Sequence, residues 1–105
     1  MKYADFTYKR AEIEEIQKDF KELIKDFDDA DSFQEQCSII DKINEIRDEF
    51  TSMSILSELR KCLGEDKELY SKEMDYYNEA DPILDGLVCD YYKVLYNSKF
   101  KDAHF

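Results

Sequence analysis

At 105 residues and a formal net charge of -11, the chain has room for one small core and repels polyanions. Its 26 acidic against 15 basic residues exclude nucleic acid, whose phosphates require clustered Lys and Arg, and the same sign disfavours anionic membrane surfaces. Two glycines and a single proline are too few breakers for a sandwich or barrel, so an all-α fold is expected.

The chain opens on residues 1–9, where Tyr3, Phe6 and Tyr8 alternate loosely without a helix-start signal; they read as an extended arm. The start also lacks the apolar core of a signal peptide, and no run reaches the roughly 20 apolar residues of a membrane span, which points to the cytoplasm. From about residue 10, Ile13, Ile16, Phe20, Leu23, Ile24 and Phe27 recur at steps of three and four, predicting a helix over about 10–28. Ser32 and Glu35 then have capping-box spacing, with Asp31 as the alternative cap. The second helix runs over about 32–63 through Phe33, Cys37, Ile40, Ile43, Phe50 and Leu56 and stops at Gly64. So short a connection makes the two an antiparallel hairpin.

Further helices are expected over about 66–80, carrying Leu69, Tyr70, Met74 and Tyr77, and about 82–97, carrying Leu84, Leu87, Val88, Tyr91 and Leu95. Pro82 either starts a new helix or kinks one long helix; a new helix capped by Asp81 is the favoured reading. The second helix carries an apolar band wider than one partner needs, including Ile39, Ile46, Met53, Ile55 and Leu59, and the tail ends on Phe100 and Phe105 with no evident packing site. Both features suggest a missing partner, or self-association into a homodimer or larger oligomer.

The inventory of chemistry is short. His104 is the only histidine, so neither a His-Glu-x-x-His zinc helix nor a di-iron bundle can be assembled. Cys37, Cys62 and Cys89 lack paired spacing and read as reduced, partly buried thiols. Asp28, Asp29 and Asp31 lack the central glycine and closing glutamate of a calcium loop. Tyr70, Tyr76, Tyr77, Tyr91, Tyr92 and Tyr96 have the spacing of ordinary helix packing. No catalytic, cofactor-binding or metal-ligating residue is therefore assigned, and the chain alone is expected to be inactive.

One set of residues adds a resemblance. The run Met1-Lys2-Tyr3-Ala4-Asp5-Phe6-Thr7-Tyr8-Lys9-Arg10, the helix bearing Phe20, Leu23 and Phe27, the turn Ala30-Asp31-Ser32-Phe33-Gln34-Glu35-Gln36 and the stretch Ile43-Asn44-Glu45-Ile46-Arg47-Asp48-Glu49-Phe50 stand out. With Met53-Ser54, Pro82, Tyr91-Tyr92-Lys93 and Asn97-Ser98-Lys99-Phe100, they resemble the amino terminus of oligoendopeptidase F-like zinc metallopeptidases, relatives of thimet oligopeptidase. Cys62-Leu63-Gly64-Glu65-Asp66 departs from that pattern. The resemblance implies one helical domain, a fragment of a longer peptidase, that packs against an absent catalytic domain and helps enclose a peptide channel. Zinc would belong to the full-length parent, and no ligand carries over to this chain. The alternative reading is a stand-alone acidic helical bundle that binds a partner protein.

Overall fold

The computed structural model describes residues 7–105, and their regular structure is helical throughout. Of the expected arm, residues 1–6, with Tyr3 and Phe6, lie outside the described residues, while Thr7 to Glu12 precede the first helix without regular structure. Three long helices follow: α1 (Ile13–Asp29), α2 (Phe33–Cys62) and α3 (Lys67–Tyr96), with a short α4 (Lys101–His104) closing the chain. Each long helix packs against the other two, making a small three-helix bundle in which α2 runs antiparallel to both neighbours.

The turns between helices are chemically specified. Ser32 caps α2, its Oγ accepting from the Glu35 amide at 3.1 Å, while the Glu35 carboxylate accepts from the Asp31 amide at 3.1 Å. At the other end Gly64 adopts φ +80°. Its amide reaches the Lys61 carbonyl, and that of Glu65 reaches the Arg60 carbonyl, each at 3.0 Å, a double bond pattern that stops the helix and suits glycine. Asp66, with φ 31°, then caps α3 by accepting from the Leu69 amide at 3.2 Å.

The favoured division at Pro82 does not occur: α3 is a single 30-residue helix that continues through the proline. Proline removes one backbone donor and crowds the carbonyl four residues back, here Asn78, which lies on an exposed part of the helix where water can serve it. On the opposite side Tyr77, Ala80, Leu84, Leu87 and Tyr91 form an unbroken buried stripe across the proline, so packing holds the helix together where local propensity would end it. Pro82→Ala should therefore raise stability by about 1–3 kcal/mol, read as a higher denaturation midpoint with unchanged helicity; a loss of stability would contradict this account.

The core is built from Phe20, Ile43, Phe50, Tyr77, Leu84, Leu87 and Tyr91. Edge-on aromatic pairs join the helices: Phe20 with Tyr91 at 6.3 Å, Phe27 with Tyr91 at 6.2 Å and Phe50 with Tyr77 at 5.3 Å between ring centroids. Much of the wide apolar band of α2 is taken up inside the bundle, since this helix lies against both α1 and α3, while Ile55 stays exposed and Ile39 and Ile46 are half-buried. The cysteines are free, but only Cys37 is half-buried; Cys62 and Cys89 are exposed, because their positions fall on the outer sides of α2 and α3.

Candidate functional site

Two polar clusters fasten the non-helical ends of the chain to the bundle. The first gathers around Glu73, a carboxylate on the buried side of α3 with 4% of its surface exposed. Arg10 forms a two-pronged ion pair with it, Nε meeting Oε1 at 3.0 Å and Nη2 meeting Oε2. The Tyr8 hydroxyl donates to Oε1 at 2.6 Å, which leaves its oxygen to accept from Tyr77, 2.9 Å away. Tyr77 in turn accepts from the Ala11 amide at 3.2 Å.

Tyr76 completes this clamp. Its hydroxyl donates to the Ala11 carbonyl and accepts from the Ile13 amide, both at 2.7 Å, while Arg10 lies over its ring at 4.3 Å. Glu12 makes no side-chain cap at the start of α1, so a tyrosine from another helix caps that amide instead. The Arg10 hydrogen bonds hold the Glu73 carboxyl below the ordinary range, against the effect of burial and helped by Tyr8. Burial and the bond to Glu73 push the Tyr8 phenol far up, so it remains a neutral donor.

The second cluster centres on Gln36, 1% exposed near the start of α2. Its amide nitrogen donates to the Phe27 carbonyl at 3.3 Å, and its oxygen meets Ser98 Oγ at 2.8 Å and His104 Nε2 at 2.7 Å. The His104 ring lies 4.7 Å from Phe33 and 5.9 Å from Phe27 between centroids. The tail thus has a packing site after all, with Phe100 half-buried and only Phe105, 73% exposed, left outside.

These clusters fasten the fold, and no buried side-chain polar atom among the described residues lacks a partner. Zinc does not fit the described residues: no three potential ligands converge, and the one imidazole is engaged with Gln36. Of the tyrosines, Tyr70, Tyr77 and Tyr91 are buried, Tyr76 is half-buried, and Tyr92 and Tyr96 stand exposed. Glu73 and Gln36 were not singled out by sequence reasoning. The available signal was a lone carboxylate in line with the buried Tyr70, Tyr77 and Ala80.

A family model described as the Peptidase M3 N-terminal domain matches residues 3–104. The chain belongs to this family. The structure also matches a solved chain titled "PZ peptidase A with inhibitor 2", with a TM-score of 0.89 and 32% identity over 97% of this chain. The matched region is 18% of that longer chain, so the M3 N-terminal domain described here spans less than a fifth of it. Comparison with the curated proteins gives no match. The arm clamp, the three long helices and the tail latch all fall inside the span matched by the family model.

Proposed function

We propose that this M3 N-terminal domain acts as the non-catalytic part of an oligoendopeptidase F-like zinc metallopeptidase, packing against the catalytic domain and helping to enclose the oligopeptide channel. The observation that carries this reading is the near-complete match of the chain, in family and in fold, to one short stretch of a much longer peptidase. Exposed Leu63, Tyr92, Tyr96 and Phe105 supply apolar surface for such packing, or for self-association where the catalytic domain is lacking. In this reading zinc resides in the catalytic domain, with its water-activating chemistry, and the whole enzyme works in the cytoplasm. No helix among the described residues is long and apolar enough to cross a membrane.

The test combines two measurements. The chain alone, supplied with zinc and a fluorogenic oligopeptide, should give no cleavage above blank. Mixed with the catalytic region of an M3 peptidase stripped of its own N-terminal domain, it should co-elute as a defined complex by size-exclusion chromatography with light scattering. Chelator-sensitive cleavage by the chain itself, or failure to associate, would overturn the proposal.

A further inference from the structure

A surface groove runs between α1 and α2, and no residue of α3 enters its lining. Three adjoining recesses compose it, the first and second sharing Asp19 and Ile46, the second and third sharing Leu23, Asp26 and Lys42. Its floor is apolar, made by Ile16 and Leu23 of α1 and Ile39 and Ile46 of α2, all half-buried and each pair seven residues apart.

Its walls are acidic in an equally regular way. From the Glu12 cap along α1 the carboxylates Glu12, Glu15, Asp19, Glu22, Asp26 and Asp29 follow one another at alternating steps of three and four, a ridge along the helix. Glu35, Glu45 and Glu49 stand on the α2 side, and Lys42 is the one cation on that wall. Lys9 and Arg10 lie at one end, where Arg10 is already engaged by Glu73.

We infer that the α1/α2 groove is the docking site of a basic amphipathic helix from a partner segment, one whose apolar residues recur at heptad spacing between flanks of Lys and Arg. Two antiparallel helices with floor residues seven apart present the holes that the side chains of a third helix fill, and the acidic ridges meet its cationic flanks. The groove follows 17-residue α1, a length of about 25 Å, so it accommodates about five turns of helix. A second copy of this chain is the wrong occupant, because each of its three long helices carries more carboxylates than cations. The inference goes beyond the peptidase reading and does not rest on it.

The test is calorimetric titration of the chain with three synthetic 18-residue peptides. One has Leu and Ile at heptad positions with Lys and Arg flanks, the second has the same apolar residues with Glu flanks, and the third has the basic flanks without the apolar residues. Only the first should bind, with its amide shifts on the protein confined to the groove and its affinity weakened by salt. Asp26→Lys with Glu45→Lys, both exposed positions that leave the fold intact, should weaken it about tenfold or more, as should Leu23→Asp. The inference is overturned if the first peptide does not bind, if the third binds as well, if neither variant weakens binding, or if a second copy occupies the groove. None of these results touches the peptidase assay, which reads cleavage and assembly.

Discussion

Phe27→Ala is expected to lower the stability of the domain by about 3–5 kcal/mol, a large share of the about 5–15 kcal/mol available to a domain of this size. The ring is fully enclosed, meeting Tyr91 edge-on and the His104 ring on another side. Removing it leaves a cavity where α1, α3 and the tail converge, and loosens the support on which His104 rests. Urea unfolding followed by circular dichroism should show the loss, and the melting temperature should fall by more than about 12 °C. Asp28→Ala, an exposed neighbour, should change stability by less than about 0.5 kcal/mol. A Phe27→Ala variant within 1 kcal/mol of the parent, roughly the cost of an ordinary substitution, would mean that the site collapses around the missing ring.

The second large effect belongs to Glu73. Glu73→Ala strips Arg10 of its partner and leaves the Tyr8 hydroxyl without its acceptor, at a cost of about 2–4 kcal/mol once the partial exposure of Arg10 is allowed for. Acid should reproduce part of this loss. The folded carboxyl titrates below its unfolded value of about 4.3, so its contribution is complete above that pH and disappears as pH falls through the folded value. The stability difference between the parent and Glu73→Gln should accordingly be constant from pH 6 to 8 and narrow below about pH 4. A difference that widened on acidification would show that the carboxyl is not stabilised in its charged form.

The legible parts of the fold were those written in local chemistry. The stripe from Ile13 to Phe27, the Ser32 cap and Gly64 each act within a few residues of themselves, and the helix ends they predict agree with the observed ones to within about three residues, as is usual for such boundaries. Pro82 misled because its local preference, a helix start, is overridden by the buried stripe on both sides of it. The clamp and the latch were illegible for another reason: Tyr8 and Glu73 are 65 residues apart, and Gln36 and His104 are 68 apart. Nothing in either neighbourhood states the pairing. Tyr76 shows this most clearly, since a tyrosine of α3 capping the first turn of α1 follows no spacing rule.

The family, by contrast, was legible from residues of the scaffold. Its signature is made of arm, turn and core positions such as Tyr8, Arg10, Phe20 and Ser32, and in the structure these fix the clamp, the core and a helix cap. The absence of zinc ligands said nothing about kinship, because kinship here is recorded in the scaffold.

A bundle of three helices with smooth apolar stripes could pack in several alignments related by one turn. Moving α3 by a turn, about 5.4 Å, would carry Glu73 away from Arg10 and Tyr8 and leave a charged group enclosed with nothing to neutralise it. The oily side chains tolerate such slippage far better than the carboxylate does. Glu73 therefore works as an indexing pin, admitting one alignment of the helices and with it one placement of the α1 ridge that faces outward.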